Sequence, residues 1–367
     1  MKIPMRARLS GLTLLLQLIA VTSVSAQGVE SYDAWFQSVT KALVASTRAP
    51  TISVAVMSGD HVIYADAGGS IAPPARHGPS PATMYRVGSI SKLFTASIAA
   101  RLASRGVVNL DADVRQYVPE FPAKRGTVTL RELAGHQSGI RHYGLGEFIS
   151  RTHYDSLAPT VKIFLNDPLL FEPGTKYSYS SYGFNLLALA LERAAHKPFL
   201  RLLRDEVTGP LKLKHTEPDM VGRVIADRAQ LYAFDSLGTP ISAVPDDLSD
   251  RWPSGGMLSS VIDLARFGMA FTGGRFIPDS MVRVMTTPQH LQSGAATIVG
   301  LAWRVGTDSA GRTIWHHAGT SNGGRALLVV WPAEHLVVAL AANAMVPFDL
   351  PAAFKYADIA RSQRPYR

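Results

Sequence analysis

The chain of 367 residues contains no cysteine. That excludes disulfide staples, thiolate metal sites, iron–sulfur clusters, a cysteine nucleophile and a lipidated cysteine anchor. It leaves the redox compartment open. Charged residues are few, at 18%, and beyond residue 26 no apolar run approaches the ~20 residues that a membrane span needs. Also lacking are internal repeats, low-complexity tracts, a His-Glu-x-x-His pair and any phosphate-cradling glycine loop. No metal and no cofactor are therefore expected. What is present is 47% hydrophobic residues in a chain long enough for a sizeable core, which excludes a disordered or collagen-like polymer.

The net charge is +9, from 37 Lys and Arg against 28 Asp and Glu. Lys2, Arg6 and Arg8 supply three of those excess charges and the rest are scattered. Without a basic cluster interleaved with aromatics, nucleic-acid binding is not expected. Residues 1–26 have the form of an export signal. A basic start is followed by a short apolar run over 12–21, interrupted by Gln17, and Val24-Ser25-Ala26 puts small residues before Gln27. The expectation is a periplasmic or secreted protein without stable membrane insertion after cleavage.

Along the mature chain, residues 32–46 carry apolar side chains at helical spacing. Residues 51–57 and 61–65 read as a β-hairpin turned at Ser58-Gly59-Asp60. From 90 to about 290 the pattern is mostly helical. Strand-like runs return at 303–305, 313–317, 326–331 and 336–342, and a helix over 351–361 closes the chain. The fold class predicted is α+β. One antiparallel sheet is built from both ends of the chain (about 27–88 and 295–367) and flanked by helices, with a helical insertion at about 89–294. A cleft is expected at the junction.

The chemistry-bearing segment is Ser89-Ile90-Ser91-Lys92. Apolar residues at Ile90, Leu93, Phe94, Ile98 and Leu102, with Gly106 beyond them, predict a helix beginning here. It sets Ser89 and Lys92 one turn apart on one face. A free serine hydroxyl is a poor nucleophile. An adjacent lysine takes its proton if desolvation or a second cation lowers the ammonium pKa. Two further elements follow in the chain: Tyr179-Ser180-Ser181 before a helix over 185–193, and His317-Ala318-Gly319-Thr320 at the end of a strand.

These three elements, in this order and spacing, resemble the serine beta-lactamase-like and penicillin-recognising hydrolases. The resemblance extends through residues 109–121, 129–143 and 255–268 and covers roughly 30–360. Within that family, 139–143, 166–169 and 179–183 are most similar to the mitochondrial serine beta-lactamase-like proteins and their bacterial relatives. It implies that Ser89 is acylated, that Lys92 and Tyr179 move protons, and that the Ser89 and Thr320 N–H groups form an oxyanion hole. Which of Lys92 and Tyr179 is the base stays open, since their titrations would be coupled. Ser181, His317, Gly319 and Thr320 would contact the substrate.

Two positions depart from the family pattern. Ser181 stands where beta-lactamases carry an Asn that contacts the substrate amide. His317 stands in the place of a lysine and is at most partly charged near neutral pH. Both shift the expectation from a true beta-lactamase towards a D-alanyl peptidase or esterase acting on small-molecule, peptide or ester substrates. A non-catalytic binding or scaffold protein on the same fold is the alternative of another class.

Other signals carry less. Gly319-Thr320-Ser321-Asn322-Gly323 fits a nucleophile-elbow pattern, but a strand follows instead of a helix, so it reads as a loop between strands. His136 reads as a hydrogen-bonded structural residue, and Asp111-Ala112-Asp113 as a loop and helix cap. Trp252-Pro253 is either a cleft-side loop or a packing feature. His316 and His317, adjacent on a strand, point to opposite faces and do not form a metal pair.

Overall fold

A computed structural model describes residues 32–69 and 79–362; the export signal read at 1–26 lies outside the described residues. Helix α1 (Tyr32–Thr47) leads into β1 (Ile52–Ser58) and β2 (His61–Gly68). Strand β3 (Tyr85–Arg86) and a 3₁₀ turn (Gly88–Ile90) precede α2 (Ser91–Ser104), followed by α3 (Leu130–Ala134), α4 (Leu157–Val161), α5 (Tyr182–Ala195) and α6 (Phe199–Leu203). Then come β4 (Thr216–Pro218), the pair β5 (Tyr232–Phe234) and β6 (Pro240–Ser242), β7 (Met257–Ser259), α7 (Val261–Met269) and α8 (Asp279–Thr286). Strands β8 (Arg304–Thr307), β9 (Thr313–Ser321), β10 (Gly324–Trp331) and β11 (Leu336–Ala342) and helix α9 (Leu350–Ser362) end the series. Among the described residues no helix is long and apolar enough to cross a membrane.

The main sheet has the order β2-β1-β11-β10-β9-β8 and is antiparallel throughout. The expected pairing of the N-terminal hairpin with the C-terminal strands is thus realised by β1 against β11, from Ile52 opposite Ala342 to Ser58 opposite Leu336. Both faces of the central strands are covered, so these strands are continuous apolar runs. Leu336, Val338 and Leu340 share a core with Phe36 and Tyr356 from α1 and α9. Their neighbours Val337, Ala339 and Ala341 share the other core with Leu264 and Phe267 of α7 and Phe94 of α2. The two-residue strand period therefore separates the two cores.

Short strands in the middle region were not anticipated. β3, β7 and β4 form a small sheet, and β5 pairs with β6. Strands of two or three residues show no periodicity to read. The small sheet matters because it positions the turn before α2. The Val87 N–H donates to Met257 O at 3.0 Å, and the Met257 N–H donates to Ser91 Oγ at 3.2 Å.

Beneath that turn lies a buried ionic network. Arg86 reaches Asp219 at 2.6 Å, Asp246 at 2.5 Å and the Asn322 carbonyl at 2.9 Å. It ties β3 to the β9–β10 turn. That turn, Asn322-Gly323, joins two strands, with Gly323 at φ +69°. Ser321 is therefore the last residue of β9, and the elbow pattern is a hairpin, as its strand context implied.

Strand β9 and the turn before α2 come into backbone contact. A Cβ on Gly319 would lie 1.8 Å from Val87 O, and one on Gly88, which has φ +51°, would lie 2.5 Å from Thr320 N. Neither position accepts a side chain without driving the two segments apart. Gly319→Ala should lower stability by at least about 1–3 kcal/mol, the scale of forced overpacking. Gly273→Ala, with nothing within 4 Å, should be nearly neutral. Urea midpoints of the two variants provide the check, and equal midpoints would contradict the contact.

Candidate active site

Ser89 sits in the 3₁₀ turn and Lys92 in the first turn of α2. Helix α2 is buried along nearly its whole length, and the Lys92 side chain is buried with it. An ammonium has three donors to satisfy. Here they reach Ser89 Oγ at 3.2 Å, Ser181 Oγ at 2.9 Å and Ser254 O at 2.6 Å. No carboxylate among the described residues pairs with Lys92. Burial, and then the charges of Arg304 and Arg251, hold its pKa well below the usual 10.5. The neutral amine keeps two donors and gains a lone pair. It can hold Ser181 and Ser254 while accepting the proton of Ser89, the partly exposed hydroxyl of the set.

Tyr179 approaches with its phenol close enough to the Ser89 side chain for Ser89 to lower its pKa slightly. Burial pushes its phenol pKa upward. Lys92 Nζ lies 4.8 Å from the centre of its ring. The 178–181 segment is stapled to 136–142. Ser178 N–H donates to His136 O at 2.9 Å, Ser180 N–H to His136 Nδ1 at 3.1 Å, Ser180 Oγ to Arg141 O at 2.8 Å and Ser181 N–H to His142 Nδ1 at 3.2 Å. His136 takes φ +60° to do this, a conformation uncommon outside glycine. Its ring lies 4.3 Å from that of Tyr179. The structural reading of His136 thus gains a purpose, the placement of Tyr179.

The remaining expected residues are distributed unevenly. Gly319 and Thr320 bring the β9 backbone against residues 87–89, with the backbone nitrogens of Ser89 and Thr320 on the two contacting segments. Ser181 is buried, and its hydroxyl is engaged by Lys92 and Tyr143 rather than presented to a ligand. His317 is only 1% exposed instead of lining an open cleft. Its Nδ1 is 2.6 Å from Ala318 O, and burial followed by the Arg304 and Lys92 charges holds the ring neutral.

Asp113 caps the 3₁₀ turn 114–116 and Asp111 pairs with Arg131 at 2.6 Å, as loop and cap residues do. The Trp252-Pro253 loop proves to be both packing and site. Trp252 is buried and bonded to Asp219 O, while the next residue, Ser254, gives its carbonyl to Lys92.

Arg304 was missed. The run 303–305 was read only as a strand, and the signal was an arginine in an otherwise apolar strand. Its guanidinium lies 5.8 Å from the Tyr179 ring and is a cause of the depressed pKa values of Lys92, His136, His316 and His317. It has no ion pair among the described residues. Strand β8 pairs with β9 only over residues 313–316. Past His316 the β9 edge has no neighbouring strand among them.

Ser89 reactivity should follow the fraction of neutral Lys92, so it rises with pH through a pKa below 10.5. Removing the Arg304 charge raises that pKa. The rate of fluorophosphonate labelling against pH should therefore move to higher pH in Arg304→Gln; an unmoved curve would remove Arg304 from the electrostatics of the site.

A family model described as Beta-lactamase matches residues 36–361. The serine beta-lactamase-like protein LACTB, mitochondrial, of Homo sapiens is 28% identical over 263 residues, covering 53% of this chain and 48% of that protein. The chain thus spans about half the length of the curated relatives it matches. Among solved structures, a D-stereospecific amidohydrolase from Streptomyces sp. superposes with TM-score 0.73 at 24% identity, covering 88% of this chain and 97% of that one. A beta-lactamase/D-alanine carboxypeptidase from Yersinia pestis gives 0.73 at 21%, covering 90% and 98%. The architecture of helices around an antiparallel sheet is that of these structures.

Proposed function

The chain belongs to the Beta-lactamase family, and on that premise we propose that it is a serine hydrolase whose Ser89 is acylated by peptides ending in a free carboxylate. The observation that carries the reading is the buried Lys92 amine, bonded to Ser89, Ser181 and Ser254 and paired with no anion among the described residues. Lys92 takes the Ser89 proton as Oγ attacks the carbonyl. The N–H groups of Ser89 and Thr320 receive the oxyanion. Tyr179 passes a proton to the leaving amine and is reprotonated by the Lys92 ammonium, so that the Ser89 proton leaves with the amine as the acyl–serine ester forms. Water then hydrolyses that ester and restores Ser89. The opposite displacements of the two pKa values support Lys92 as base and Tyr179, which stays protonated, as relay.

The substrate class follows from Arg304 and the open β9 edge. An extended peptide can lie along that edge, and a guanidinium without an ion pair among the described residues suits a carboxylate. The names of the solved neighbours, an amidohydrolase and a D-alanine carboxypeptidase, support a D-alanyl peptide over a simple ester. Arg304 also favours a second reading, a beta-lactamase, because a lactam carboxylate would meet the same cation. Against it stands Ser181, whose hydroxyl is engaged by Lys92 and replaces a carboxamide. The leader-like residues 1–26 belong to the same proposal, as a cleaved export signal that delivers the enzyme to the periplasm or exterior.

A fluorophosphonate adduct should map to Ser89. Lys92→Ala and Tyr179→Phe should each reduce turnover by about two orders of magnitude. No adduct in the folded protein would favour a non-catalytic role. Arg304→Ala should lower the ratio of kcat/KM for a D-Ala-D-Ala peptide to that for its C-terminal amide by about tenfold or more, the scale of a charge-assisted hydrogen bond. An unchanged ratio would sink the carboxylate reading. Nitrocefin, assayed on the same batch, should be turned over at least about a hundredfold less well than the peptide; if it were the best substrate, the beta-lactamase reading would take precedence.

A further inference from the structure

We propose that His142 is a specificity-determining residue whose Nε2–H donates to an amide carbonyl on the acyl half of the substrate, the carbonyl preceding the residue that acylates Ser89. The proposal rests on the acyl-serine reading above.

The starting point is Ser181. The carboxamide that would contact a substrate amide is absent there, and the hydroxyl in its place is buried against Lys92 and Tyr143. The Ser181 backbone nevertheless holds another polar group. Its N–H donates to His142 Nδ1 at 3.2 Å. A nitrogen that accepts from a backbone N–H carries no proton, so the neutral ring has its proton on Nε2. The two ring nitrogens point in different directions, so Nε2 points away from Ser181.

The ring is held in place. It lies edge-on to Tyr179 at 5.4 Å between centres and against Tyr143 at 4.4 Å. His136 and His317 are buried, but His142 is exposed, and its Nε2 has no hydrogen-bond partner among the described residues. The charged groups acting on it are Lys92, in its protonated form, and Arg251. With partial burial as the larger cause, they lower its pKa to about 4. The ring therefore stays neutral near pH 7, with a single donor of fixed direction beside the residue that contacts Ser89. A neutral donor suits an amide carbonyl better than a carboxylate. It supplies half of what the missing carboxamide would offer, a donor without an acceptor.

Two substitutions separate the nitrogens. His142→Asn leaves an oxygen near the Nδ1 position to accept from Ser181 but no donor at Nε2. His142→Gln carries an amide N–H out towards Nε2. The readout is the ratio of kcat/KM for N-acetyl-D-alanine p-nitrophenyl ester to that for p-nitrophenyl propionate, which lacks the amide. Neither ester carries a free carboxylate, so Arg304 does not enter. The wild-type protein should prefer the N-acetylated ester, His142→Asn should lose about tenfold of that preference, and His142→Gln should keep most of it. If His142→Asn slows both esters equally, His142 acts only by holding Ser181 and the proposal fails. It fails too if the ratio does not change while fluorophosphonate still labels Ser89. Loss of labelling in the wild-type protein would instead overturn the hydrolase reading, and this proposal with it.

Discussion

The structure depends on a place where two backbones touch. Residues 87–89 and 319–320 lie so close that neither Gly88 nor Gly319 tolerates a Cβ, and Gly324 meets Arg86 in the same way. This contact joins the turn that carries Ser89 to a strand of the main sheet. It also brings the Thr320 backbone beside the segment that holds Ser89. Everything behind the contact stiffens it. The Arg86 network anchors β3 to the hairpin turn at Asn322, and β7 holds Val87 and Ser91 from the opposite side. Removing one partner of a buried ionic network strands its counter-charge, so these residues hold the contact in place.

The electrostatics of the site have a single sign. Lys92, His136, His317 and Arg304 act on one another, and Arg251, the other cation near Lys92, is matched by Asp250 at 2.7 Å. With no carboxylate among the described residues paired to Lys92, burial and repulsion act together on the lysine and the histidines. Lys92 and the histidines are driven towards neutrality. Beside them stands the Arg304 guanidinium, without an ion pair among the described residues. The outcome is a base ready to accept a proton beside one fixed positive charge. The proposed acyl transfer from a carboxylate-ended peptide draws on both.

Hydrogen bonds to histidine nitrogens do much of the positioning. His136 and His142 each accept from a backbone N–H of the 178–181 segment. Their rings flank Tyr179 at 4.3 and 5.4 Å. The phenol is thus placed beside Ser89 by ring nitrogens that face the backbone of its own segment. The same bonds determine which nitrogen of each ring carries a proton, so a structural contact also sets the chemical character of the exposed edge of His142.

Period and local spacing were legible in the residues alone. The strand 336–342 and the helix that carries Lys92 emerge where apolar alternation and helical spacing put them, since those patterns depend only on neighbours along the chain. The serine–lysine spacing one turn apart is equally local. Tyr179 entered only through resemblance, because nothing nearby in sequence distinguishes it from Tyr177 or Tyr182. Other features came from residues distant in sequence. Ser181 turned inward to Lys92, His317 was buried, Ser254 offered its carbonyl and Arg304 came to rest 5.8 Å from the Tyr179 ring. Burial and electrostatic coupling are set by what packs across a gap, and residues 92, 181, 254 and 304 become neighbours only when the sheet and helices close on one another.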